Sequence, residues 1–103
     1  MNTSFEDIRS FYESACMDMA SNSVDNYEDG FFDESADIIE KAGSDRCSRV
    51  EAVMDDLFND VGVATDLIGD QLNAAENKDE VLQKMVEAES PYREVAERLI
   101  FKG

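Results

Sequence analysis

Apolar residues recur three and four positions apart along almost all of this 103-residue chain, and that spacing most narrows what it can form. Phe5, Ile8, Tyr12, Ala15 and Met19 make one such line, widened by Phe11 and Cys16. Cys47, Val50, Met54, Leu57 and Val61 make another, with Val53 and Phe58 alongside. Ala64, Leu67, Ile68, Leu72 and Ala75 follow, then Val81, Leu82, Met85 and Val86, and last Tyr92, Val95, Ala96, Leu99 and Ile100. Residues so spaced share one face of an α-helix, whereas a half-buried strand alternates by two. No period-two run and no hairpin turn interrupts the series. The chain is therefore expected to be all-α, a compact acidic bundle of five to six short helices. Its length fits a single domain over residues 1–103.

Local signals divide these lines. Ser4 with Asp7 has the form of a capping box and opens the first helix. Ser21-Asn22-Ser23 reads as a turn, and Asp29-Gly30 as a break. From Phe31 to Ala42 the period is again helical: Phe31, Ser35, Ile38 and Ala42 on one line, Phe32, Ala36 and Ile39 beside it. Gly43 suits the position just past a helix end. Ser44 is placed to cap the next helix, which is expected to break at Gly62. Asn77-Lys78-Asp79-Glu80 matches a second capping box, and Ser90-Pro91 an N-cap followed by Pro at the first helical position. Phe31, Phe32 and Phe58 are expected in the core, with at most one exposed.

Charge is the unusual property. There are 25 acidic and 9 basic residues, net −16. Hydrophobic content of 43% with six Phe and three Tyr nevertheless argues for a folded chain. The imbalance is local: residues 1–40 hold eleven acids and one base, residues 77–103 six acids and five bases. Its densest part is Asp25 to Glu40, which contains no Lys or Arg. Like charges four apart cost a helix about 0.2–0.5 kcal/mol per pair. They recur as Asp29–Asp33, Asp33–Asp37, Glu51–Asp55, Asp56–Asp60 and Asp66–Asp70. In the balanced C-terminal region the favourable order, acid before base, occurs, as in Glu80–Lys84 and Glu94–Arg98. Something other than helix stability has set the acidic surface.

Several chemistries fall away. The chain has no His, which removes His-dependent triads and His-liganded zinc. A calcium loop counted from Asp25 has Gly30 in place, but Tyr27 and Ala36 stand where two ligands are needed. Glu34-Ser35-Ala36-Asp37 faintly resembles the attachment motif of acyl carrier proteins and lacks the Leu after Ser. Carboxylate pairs are too abundant for any one to signal a glycosidase. No Gly-rich phosphate loop occurs. Cys16 and Cys47 lie on apolar lines without a CxxC spacing and are expected to be buried and inert; pairing between them is left open. No enzyme, cofactor or metal site is expected. Met1-Asn2-Thr3-Ser4 leads into acidic sequence without a secretory signal, and no apolar run approaches the ~20 residues of a membrane span. A cytoplasmic protein is the expectation.

A compact domain of this length has a diameter of roughly 33 Å. Duplex DNA of that length carries on the order of 20 charges, comparable with net −16. Carboxylates four apart rise about 6 Å along a helix, close to two phosphate steps of ~3.4 Å. In size, helical character and the acidic stretches Asp25–Glu40 and Glu51–Asp70, the chain resembles the acidic DNA-mimic proteins with which bacteriophages block restriction enzymes and CRISPR complexes. That resemblance implies a non-enzymatic inhibitor in the host cytoplasm. Such an inhibitor occupies the channel of a basic nucleic-acid-binding protein and touches neither nucleic acid nor membrane. The acids expected to carry it are Asp29, Asp33, Asp37 and Glu40, with Glu51, Asp55, Asp56 and Asp60 as a second stripe. The alternative is a small acidic adaptor or immunity protein that neutralises a basic partner through an aromatic anchor. Heptad-like stripes leave a homodimer open under either reading.

Overall fold

The first helix begins where the sequence places it. The Ser4 amide donates to Asp7 Oδ2 and the Asp7 amide to Ser4 Oγ, each at 3.1 Å, a reciprocal capping box. In the computed structural model, which describes residues 3–102 and side-chain surroundings as far as Ile100, this helix, α1, runs Phe5–Glu28 without interruption. The turn expected at Ser21-Asn22-Ser23 does not form. No Gly or Pro precedes Gly30, and Cys16, Ala20 and Val24 continue the fully buried line. Burying Val24 contributes about 1.5–3 kcal/mol. That at least matches the roughly 0.5 kcal/mol by which each of the three polar residues falls short of Ala in a helix. The stripe also turns: Phe11 and Met19 are exposed, and Cys16 and Ala20 take their place.

Five more helices follow among the described residues: α2 Ala36–Lys41, α3 Arg46–Phe58, α4 Val61–Ala74, α5 Lys78–Val86 and α6 Tyr92–Lys102, with no strand. The fold is all-α. Several boundaries differ from the sequence reading because side chains choose other partners. Asp45, not Ser44, caps α3, its Oδ2 accepting from the Ser48 amide at 3.0 Å and the Ser48 hydroxyl at 3.2 Å. The α3–α4 break falls before Val61 rather than at Gly62, since Asp60 Oδ1 accepts from the Gly62 and Val63 amides at 2.9 and 3.3 Å. Asn77 makes no side-chain cap bond. Instead its amide group pairs with the Thr3 backbone in both directions at 2.8 Å. Ser90 is not an accepting cap either: its hydroxyl donates to Glu94 Oε1 at 2.6 Å, after which a cis Ser90–Pro91 peptide leads into α6.

The chain divides into two compact units, residues 1–13 with 58–103, and Ser14–Leu57. In the first, α6 packs on both α4 and α5, and Ile68, Leu72, Met85 and Val95 are fully buried. An aromatic cluster joins them. Tyr92 lies 5.2 Å from Phe5 and 6.0 Å from both Tyr12 and Phe58, the last two edge-on. The Tyr12 hydroxyl donates to the Phe58 carbonyl at 2.7 Å. Arg9 lies over the Phe5 and Tyr92 rings and reaches Glu89 at 2.6 Å. In Ser14–Leu57 the core is thinner: Ala20, Val24, Ile39 and Val53 are buried, with Tyr27, Ile38, Val50, Met54 and Leu57 packed around them.

No helix among the described residues is long and apolar enough to cross a membrane. The expected absence of a secretory signal rests partly on Met1 and Asn2, which lie outside the described residues.

Candidate interaction surface

The Ser14–Leu57 unit carries twelve acids against three bases, net −9, and includes all the expected partner-binding acids except Asp60. Its central feature follows from how α1 ends. Gly30, at φ +86°, stands at the position past the helix where only a residue without Cβ is unstrained. Its amide donates to the Tyr27 carbonyl at 3.1 Å, and the Phe31 amide reaches back to the Asn26 carbonyl at 2.9 Å. This bond pair defines a Schellman ending, in which the residue at Phe31 commonly packs on the one at Asn26. Asn26 is polar and exposed, so Phe31 finds no apolar partner there.

Asp33 then redirects the chain. Its Oδ1 accepts from the Ser35 amide at 2.8 Å, and its carbonyl accepts from the Ala36 amide at 3.1 Å. Short Asp and Ser side chains compete with helix formation in this way. The helix expected from Phe31 therefore starts only at Ala36, and of its apolar residues Ile39 alone is fully buried. Phe31 is 68% and Phe32 90% exposed. The expectation of a core position, with at most one of Phe31, Phe32 and Phe58 exposed, is overturned for Phe31 and Phe32. Leaving a Phe side chain in water forgoes about 1.5–3 kcal/mol of burial, twice over at adjacent positions.

The acids fare differently from one another. Asp29 lies beyond α1 and Asp33 before α2, so the helical spacing expected for Asp29–Asp33 and Asp33–Asp37 does not exist. Asp37 and Glu40 share α2, where Glu40 Oε1 accepts the Tyr27 hydroxyl at 3.2 Å. Glu51, Asp55 and Asp56 are exposed on α3, and Glu51 and Asp55 keep the four-residue spacing. Asp60 belongs to the other unit and caps α4, which removes the expected Asp56–Asp60 helical pair. Asp29, Asp37, Glu51 and Asp56 are exposed and have no cationic partner among the described residues.

The unit's arginines serve its own structure. α1 ends in acids with no base in its last turn, opposite to what its dipole favours. Arg46 answers this, reaching Asp25 at 2.6 Å and Glu28 at 3.3 Å. The hydrogen bond and charge of Asp25 hold its guanidinium still more firmly protonated. Arg49 lies over the Tyr27 ring at 5.2 Å and donates to the Gly43 carbonyl at 2.7 Å. Desolvation, then the charge and hydrogen bond of Glu40, push the Tyr27 hydroxyl upward against the opposing charge of Arg49.

Cys16 is buried, but Cys47 is exposed in the first turn of α3, against the expectation for it, and the two are not bridged. Among the described residues no three Asp, Glu, Cys or His side chains come together as a metal site. The surface can offer carboxylates and two aromatic rings to a partner. The exposed aromatic pair is what sequence reasoning missed; the polar Asn26 five residues before Phe31 was the available signal. Comparison with known protein families, curated proteins and solved structures finds no match for this chain.

Proposed function

We propose that this chain is a non-enzymatic acidic inhibitor that takes the place of DNA in the binding channel of a basic protein complex of the CRISPR or restriction type. The observation that carries this reading is the set of exposed carboxylates without cationic partners among the described residues, Asp29, Asp37, Glu51 and Asp56. Such acids remain available to Lys and Arg side chains that otherwise hold phosphates. A second reading, an adaptor or immunity protein that neutralises a basic partner, is favoured by the exposure of Phe31 and Phe32. Both readings share a basic protein as partner.

The test is displacement of labelled duplex DNA from purified CRISPR effector and restriction complexes. The chain should lower DNA binding by one of them. Asp37→Asn/Glu51→Gln/Asp56→Asn should weaken that inhibition at least about tenfold, as loss of three charge-assisted contacts implies. Asp33 is a poor choice for this substitution because its carboxylate also holds the Ser35 amide. Undiminished inhibition by the triple variant would argue against DNA-like charge as the mechanism.

A further inference from the structure

We propose that Phe31 and Phe32 form a hydrophobic anchor that enters an apolar socket rimmed by Lys or Arg on a basic partner protein. The inference rests on the reading that the partner is a basic protein, and it assigns the centre of the contact to two side chains rather than to the carboxylates alone.

Three observations support it. The first is exposure: no other large apolar side chain in the described residues is as exposed as Phe32, at 90%, and Phe31 follows at 68%. The second is order. The pair is held between the α1 ending, with bonds from Gly30 to Tyr27 and from Phe31 to Asn26, and the Asp33 turn that fixes Ser35 and Ala36. An anchor held from both sides loses less freedom on binding than a loose segment. Aromatic side chains in well-packed pockets are the residues on which interface energy most often concentrates. The third is the chemistry beside it, which selects the occupant. Asp29, Asp33 and Glu34 flank the pair in sequence, within a unit of net −9. A second copy of this chain, itself net −16, is repelled by such a surface, and so is an anionic lipid bilayer. A cationic protein surface is attracted.

The test uses the full chain and two synthetic peptides of equal positive charge, an amphipathic Lys/Leu helix and a Lys/Gly peptide without apolar side chains. Affinities are compared for the native chain and Phe31→Ser/Phe32→Ser, whose melting temperature should not fall because neither side chain lies in a core. The double variant should bind the Lys/Leu peptide at least tenfold more weakly and the Lys/Gly peptide unchanged. With 4-fluorophenylalanine incorporated, the fluorine signals that vanish in the variant should be those that shift with Lys/Leu. Equal Lys/Leu affinity for both chains would overturn the anchor while leaving the basic-partner reading intact. Failure of both peptides to bind the native chain would remove that reading as well. A dimer in sedimentation that the double variant dissolves, or Phe-dependent binding to phosphatidylcholine vesicles without peptide binding, would assign the pair to another occupant and overturn the proposal.

Discussion

Tyr12 and Tyr92 lie in one aromatic cluster and have opposite polar circumstances. The Tyr12 hydroxyl has the Phe58 carbonyl at 2.7 Å, whereas the buried Tyr92 hydroxyl has no well-formed hydrogen bond among the described residues, the Arg9 side chain beside it giving only a weak contact. A buried unsatisfied hydroxyl costs about 1–3 kcal/mol, and a satisfied one contributes about 1 kcal/mol. Tyr92→Phe should therefore leave stability unchanged or raise it by up to about 1 kcal/mol, while Tyr12→Phe should lower it by about the same amount; chemical denaturation of both variants measures the difference. Burial, reinforced by the charge of Glu13, opposed by the charge of Arg9, reinforced again by Glu89 and opposed last by a weak Arg9 contact, raises the Tyr92 phenol from 10.0 to about 12. A phenol whose folded pKa is raised stabilises the fold fully below pH 10.0, and loses that contribution as pH rises through about 12. Phenolate absorbance should show a late-titrating tyrosine that disappears in Tyr92→Phe.

At the scale of elements, the glycines separate two roles. Gly30 has open space where a Cβ would be added, but its φ of +86° disfavours any other residue. Gly30→Ala should cost about 1–2 kcal/mol through backbone strain alone. Gly69 sits inside α4, also with open space, and Gly69→Ala should stabilise by about 0.5–1 kcal/mol; thermal unfolding of the two variants tests the contrast. What was legible in the sequence follows the same division between local and distant causes. The Ser4–Asp7 box and the ends at Gly30 and Gly43 could be read because their determinants lie within a few residues. The length of α1 could not, because Val24 is held by a core that includes Ile39 and Val53. Asn77 looked like a cap because Thr3, its actual partner, is 74 residues away in sequence. Cys47 falls on an apolar line, but the first turn of α3 lies outside the core. Of the candidate surface, the density of acids was legible. Their geometry around Phe31 was not, because the Asp33 side chain decides where α2 begins.

For the whole molecule, the two units differ in how far their charge is spent on internal pairing. The unit of residues 1–13 and 58–103 balances part of its charge through pairs such as Arg9–Glu89, Lys84–Glu80 and Arg93–Glu97. The expected Glu94–Arg98 pair gives way to Glu94 accepting from Ser90, which draws the Glu94 carboxyl below its usual range. In Ser14–Leu57, Arg46 is committed to the end of α1, and Asp29, Asp37, Glu51 and Asp56 have no cationic partner among the described residues. If those carboxylates substitute for phosphates, binding must weaken as salt screens them. The direct measurement of the proposed inhibition is the affinity of the native chain, as a function of salt, for a CRISPR or restriction complex assayed for loss of duplex DNA. Affinity should fall about tenfold or more between ~50 and ~200 mM salt, duplex DNA should compete, and Asp37→Asn/Glu51→Gln/Asp56→Asn should flatten the dependence. An affinity that is indifferent to salt and to competing duplex would contradict it.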